Sequence, residues 1–154
     1  MRWVSGLIMG VIFLLSGCSN EDDVIHVMAF SDELYAQQEE LTDLTEGEIR
    51  VTVFPSIIER LLVELAGHDA DILLIDESLK VIVDPDGLVS LANRNLPVVP
   101  IQDETTSVAV SLSELLTTLS FEENHLLFIP VYSNRNEEAI QLLEKWREGE
   151  FSWN

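Results

Sequence analysis

Ile49-Arg50-Val51-Thr52-Val53-Phe54, then Pro55-Ser56-Ile57-Ile58-Glu59, then Ala70-Asp71-Ile72-Leu73-Leu74-Ile75 decide the fold. The first run is rich in β-branched residues and stops at a proline, which has no amide hydrogen for a ladder, so it reads as a strand. Ser56 and Glu59 then stand at capping-box spacing, which predicts a helix start. Ile58, Leu61, Leu62 and Leu65 repeat at helical spacing, with Glu59, Arg60 and Glu64 mostly off that stripe, and Gly67 closes the helix. The third run is almost continuously apolar, as a strand covered on both faces must be. Strand, helix and strand in this order predict a right-handed crossover within a parallel sheet.

The same logic extends outward. Val24 to Phe30 reads as an earlier buried strand, and Ser31 or Asp32 as the cap of a polar helix running through Leu34, Tyr35, Leu41 and Leu44 to Gly47. Downstream, Glu77 to Val83 reads as a short helix, and Asp84-Pro85-Asp86-Gly87 as a turn. Leu88 to Leu91 and Leu96 to Ile101 read as extended, Thr106 to Leu112 as a strand, and Leu126 to Val131 as the last strand. Ser111 with Glu114, and Asn134 with Glu137, repeat the capping-box spacing. The second of these opens an amphipathic helix with Ala139, Leu142, Leu143 and Trp146 on one face, and Phe151 and Trp153 follow it. The expectation is a three-layer α/β domain with a mainly parallel sheet. Its core should include Val27, Val51, Val53, Ile58, Leu62, Leu65, Ile72, Leu74, Ile129 and Leu143.

Before the domain stands a leader with one basic residue, Arg2, an apolar stretch from Leu7 to Leu15, and then Leu15-Ser16-Gly17-Cys18. That is the layout of a secretory signal ending in a small-residue processing site. The apolar core is shorter than the roughly 20 residues a spanning helix needs. Leu-Ser-Gly-Cys resembles the lipobox of bacterial lipoproteins, whose cysteine takes a diacylglycerol group and becomes the new amino terminus. The resemblance implies a signal peptide at 1–17, a lipidated acidic tether at 18–23 and one α/β domain at 24–154. It also implies Cys18 as the lipidation site and a lipid-anchored place on the outer side of the bacterial cell membrane. Removing residues 1–17 from the 154 leaves 137, enough for one domain with a real core. Cys18 is the only cysteine, so no disulfide can staple that domain.

The 28 acidic residues outnumber 8 basic ones, a net charge of −20, while 47% of residues are apolar against 23% charged. Such a surface repels phosphate backbones and anionic headgroups, which excludes a nucleic-acid or polybasic membrane role. The apolar runs are too well patterned for a disordered acidic tail.

Catalytic signatures are missing: no Gly-x-Ser-x-Gly elbow, no phosphate-cradling glycine loop and no His-Glu-x-x-His. His26, His68 and His125 have no ligand-like spacing, and Asp84-Pro85-Asp86-Gly87 lacks the further oxygen ligands of a calcium loop. The chain is therefore expected to be no enzyme and to carry neither cofactor nor metal. Asp71 is expected to face solvent at the start of its strand, and Asp76 to lie at the strand's carboxyl end as a helix cap.

Ile49 to Ala92, with its Leu65-Ala66-Gly67 turn, Asp71-Ile72 strand and Gly87-Leu88-x-x-Leu91 segment, resembles the first lobe of extracellular solute-binding lipoproteins of ABC importers. Ile129-Pro130-Val131-Tyr132-Ser133-Asn134-Arg135-Asn136-Glu137-Glu138-Ala139 resembles a later strand-to-helix stretch of the same family. The resemblance implies one lobe of a periplasmic-binding-protein-like fold. Two lobes close around a ligand in that family, and 137 residues make only one. Two roles follow: a module holding a small solute or a cell-surface partner, or an accessory lipoprotein that pairs with another protein, such as an ABC-transporter component or a copy of itself, and binds no small solute. A binding face is expected at the carboxyl ends of the parallel strands. That selects Phe30 and Ser31, Ser56, Asp76 and Glu77, and Tyr132 and Asn134.

Overall fold

Residues Ile25–Phe30 (β1) are buried at every position, and alternate side chains enter two separate apolar clusters. A strand apolar on both faces needs cover on both. The computed structural model, which describes residues 24–39, 49–102 and 106–150, places β1 between Ile49–Phe54 (β2) and Ile72–Asp76 (β3) in a six-stranded sheet. Val98–Pro100 (β4), Ser107–Ser111 (β5) and His125–Phe128 (β6) complete the order β2-β1-β3-β6-β5-β4. The leader, Cys18, the tether, Leu41, Leu44, Gly47, Phe151 and Trp153 lie outside the described residues.

β1 pairs in parallel with β2, Ile25 facing Ile49, and with β3, Val27 facing Ile72. β6 runs antiparallel to β3, Asp76 facing His125, and the β5–β6 and β4–β5 ladders are antiparallel too. The expectation of a mainly parallel sheet is corrected here: the domain is mixed α/β, with two parallel ladders and three antiparallel ones. A parallel return needs a long crossover, usually a helix. Between β3 and β6 the described residues form only the 3-10 helices Glu77–Ile82 and Pro85–Gly87 and the four-residue helix Leu112–Leu115 (α3) besides the strands β4 and β5. The chain meanders back to β3 instead.

Helices cover both faces of the sheet. Ile25, Val27, Ile72, Leu74, Leu127 and Ile129 pack with Ala139, Ile140, Leu142 and Leu143 of the helix Asn136–Arg147 (α4). Leu34 of the short helix Asp32–Ala36 (α1) joins them. On the other face Met28, Phe30, Leu73, Ile75 and Phe128 meet Leu61 of the helix Ile58–Gly67 (α2) and Leu79 of the 3-10 helix.

The expected face of α2 is wrong by one residue. Leu61 is fully buried, whereas Leu62 is 50% exposed and Ile58 43%. Leu65, one turn after Leu61, is partly buried against the same cluster. The helix carries apolar residues round a broad arc, so the 3.6-residue period alone does not choose which side meets the sheet. Val51 and Val53 are only half-buried, because β2 is an edge strand.

Candidate functional site

The strand order positions the site. From β1 the chain moves outward to β2, then crosses back over β1 to β3, so connections diverge at the carboxyl ends of β1 and β3 and leave a crevice there. Because β6 is antiparallel, its first residue, His125, arrives at that same edge. An open cleft of about 700 Å³ lies here, with Asp32, Ser56, Asp76, Glu77, Glu122 and Glu123 in its wall.

The Ser31 hydroxyl is buried and accepts from the Leu34 amide at 3.2 Å, capping α1 as the sequence suggests. It also stands 2.8 Å from His125 Nε2. Asp76 Oδ1 lies 3.1 Å from the same ring nitrogen and Glu33 Oε2 lies 3.9 Å from it. Serine, histidine and aspartate thus meet, but both oxygens crowd one nitrogen, and Nδ1 has no hydrogen-bond partner among the described residues. The edge of Phe121 packs against the ring at 5.5 Å between centroids.

Ser56 is not the capping serine that its spacing predicts: Ile57 occupies the N-cap of α2, without a side-chain cap bond. The Ser56 hydroxyl instead donates to Asp76 Oδ2 and accepts from the Asp32 amide at 3.1 Å. The Ser56 amide returns a bond to Asp32 Oδ1 at 3.0 Å, tying the ends of β1 and β2 together. Asp76 likewise makes no side-chain cap bond to the helix it precedes. The Glu33 carboxylate accepts the amides of Glu122 and Glu123 at 2.9 and 3.0 Å and so fixes the turn before β6.

Charge is concentrated at this edge. The negative charge of Asp76 pushes the Glu123 carboxyl above its ordinary range, partial desolvation and Glu33 push the same way, and His125 opposes them. Glu77 moves down, because the Lys80 ammonium donates to it at 2.7 Å. Glu33, Glu123 and His125 each offer a ligand atom, all within 4.8 Å of one another.

Of the residues expected from sequence, Ser31, Ser56, Asp76 and Glu77 gather at this edge. Phe30 lies beneath it, fully buried and stacked on Phe54 at 5.1 Å. Tyr132 and Asn134 do not join. Tyr132 stacks on His68 at 4.4 Å, near the amino end of β3. The expected convergence of Ser31, Asp76 and Tyr132 therefore fails, because β6 runs the other way. The same reversal brings in His125, whose spacing from the other histidines gives no sign of a site, along with Glu123. Asp32 and Glu33 were within reach of sequence reasoning, since both directly follow the selected Ser31.

The opposite edge is structural. Asp71, expected in solvent, accepts from the His26 amide at 2.9 Å and the Ser133 hydroxyl at 2.6 Å. The His26 ring lies 2.8 Å from Thr52 Oγ1 through Nε2, and its Nδ1 is 3.0 Å from the Asp69 carbonyl. Burial, then the Arg50 charge, lower its pKa.

No family model and no solved structure matches the chain. A protein of Bacillus subtilis (strain 168) named "Putative lipoprotein YteS" is 31% identical over 156 residues, covering 92% of this chain and 93% of that one. The match runs across nearly the whole length of both, in keeping with the lipoprotein expectation drawn from Cys18. The chain belongs to the family of that Bacillus subtilis protein, a family of bacterial lipoproteins.

Proposed function

We propose that the chain is a membrane-anchored, extracytoplasmic binding module without catalytic activity, and that its ligand presents positive charge to the cleft at the carboxyl edge of β1, β2 and β3. The observation that carries this reading is the convergence of Asp32, Asp76, Glu122 and Glu123 on one open cleft of about 700 Å³, whose single cation, Lys80, is paired with Glu77 among the described residues. A small number of convergent polar groups in a concavity is the ordinary form of a small-ligand site. A relation to importer solute-binding proteins is part of the proposal, supported by the doubly wound order of β2, β1 and β3, where the sequence resemblance runs.

The non-catalytic part is supported by the geometry at His125. A serine–histidine–aspartate relay uses both ring nitrogens, one for the serine and one for the aspartate. Here Ser31 and Asp76 approach the same one, and the serine oxygen is fully buried.

A second reading, an accessory lipoprotein pairing with another protein, is favoured by α2, where Ile57, Ile58, Leu62 and Val63 are all exposed. Contiguous exposed apolar residues often mark interaction surfaces. The test is a set of thermal shifts on the full chain in detergent with spermidine, an arginine-containing peptide and divalent ions. A bound ligand raises the melting temperature by mass action, and Glu77→Gln should weaken the organic cations. No shift with any of them, together with a partner protein retained by the wild type and lost with Leu62→Asp, replaces the first reading by the second.

A further inference from the structure

Resting on the cleft reading above, we propose that Glu33, Glu123 and His125, with Asp76 as a fourth ligand, hold a divalent transition-metal ion of the zinc or manganese class. The ligand atoms of the first three lie within 4.8 Å of one another. Asp76 Oδ1 is 3.1 Å from His125 Nε2. Two donors about 2.0–2.2 Å from one ion, at tetrahedral or octahedral angles, stand roughly 3.0–3.5 Å apart, so this pair already has the separation of neighbouring ligands.

An independent observation points to a cation. The Asp76 side chain is 9% exposed, and its Oδ1 accepts no hydrogen bond. It faces a ring nitrogen that the Ser31 hydroxyl already engages at 2.8 Å. Buried carboxylate oxygens are nearly always satisfied, and a metal ion bound to Oδ1 and Nε2 would satisfy this one. His125, whose side chain is fully buried, is the nitrogen donor such an ion would meet.

The donor set selects the ion. Calcium and magnesium prefer all-oxygen shells, whereas an imidazole beside carboxylates suits zinc, manganese and their neighbours. In the tautomer that binds metal, Nε2 gives its lone pair to the ion, and Ser31 keeps the Leu34 amide as its cap donor. Metal-bound histidines usually donate their other nitrogen to a carboxylate or carbonyl, which strengthens the bond. Nδ1 here has no such partner among the described residues, so affinity falls below that of sites whose imidazole is backed in this way.

The test titrates the full chain in detergent with Zn²⁺ by calorimetry and with Mn²⁺ by electron paramagnetic resonance, with Ca²⁺ as control. One Zn²⁺ or Mn²⁺ should bind per chain, far more tightly than Ca²⁺, and bound Mn²⁺ should show nitrogen coupling from the ring. Glu123→Gln, on an exposed turn, should weaken binding at least tenfold without lowering the metal-free melting temperature. His125→Gln should weaken it further and abolish the nitrogen coupling. If His125→Gln does not fold, Glu123→Gln alone carries the test. Absence of saturable binding, an unchanged affinity in Glu123→Gln, or Ca²⁺ binding as tight as that of the other two overturns the proposal. Spermidine or the peptide binding while Zn²⁺ and Mn²⁺ do not would end the metal site and leave the binding module standing.

Discussion

At the scale of single residues, two histidines at opposite edges of the sheet have opposite surroundings. His125 sits among carboxylates. His26 is held low mainly by burial, with Arg50 adding to the effect and the carboxylates of Asp69 and Asp71 opposing it. The unfolded chain takes a proton on His26 near its ordinary value of about 6.5, while the folded chain refuses it until lower pH. The stability this residue contributes is therefore complete above that value and lost as pH falls below it. Urea midpoints should drop between pH 7.5 and pH 5.5 by more in the wild type than in His26→Gln. Equal drops would mean that His26 titrates alike in the two states. Ser56 shows what single-residue reading cannot resolve. Its spacing to Glu59 fits a capping box, yet the hydroxyl donates to the buried Asp76 carboxylate and its oxygen accepts the Asp32 amide, so it is already engaged on both counts.

At the scale of elements, β1, β2, β3 and α4 were legible because their apolar patterns are long and their ends carry proline, glycine or acidic residues. The face of α2 was not. Its pattern fits Leu61 and Leu62 equally, and only the sheet beneath decides between them. Leu61→Ala should destabilise the domain by about 2–5 kcal/mol, as for other fully buried leucines. Leu62→Ala should change stability by less than about 0.5 kcal/mol, as at other surface positions. Denaturant melts of the two variants compare them directly, and the reverse ranking would overturn the placement of α2. The direction of β6 was also illegible. Its apolar run is equally consistent with parallel and antiparallel pairing, and the choice lies in the connections. That one ambiguity put Tyr132 and Asn134 on the candidate list and kept His125 off it.

At the scale of the whole molecule, the chain is an acidic member of a lipoprotein family, and Cys18 is the proposed point of lipid attachment. Among the described residues no helix is long and apolar enough to cross a membrane. The proposed anchor rests instead on the Leu15-Ser16-Gly17-Cys18 motif, with acyl chains on Cys18. One chain gives only marginal binding and two give stable anchoring. Cys18→Ser should move the protein from the detergent phase to the aqueous phase on phase separation. A variant that still fractionates with membranes would show that something else holds it there. The net charge of −20 also bears on what reaches the cleft. It concentrates cations around the domain and repels anions, an effect that salt screens over about 10 Å at 0.1 M.

β6 comes last in the chain among the described strands, yet it lies in the middle of the sheet, between β3 and β5. A chain exported amino end first must therefore present β1, β2 and β3 with one side of β3 still open. The β4–β5 hairpin cannot dock there, because its own place is beside the strand that has yet to arrive. His125 closes the sheet directly beside Glu122, Glu123 and Asn124 of the cleft wall, so a molecule with an assembled cleft is also one whose last strand has been inserted. Arrival of the final segment is thus a single checkpoint for structure and site together, and a nascent chain short of residue 125 has neither.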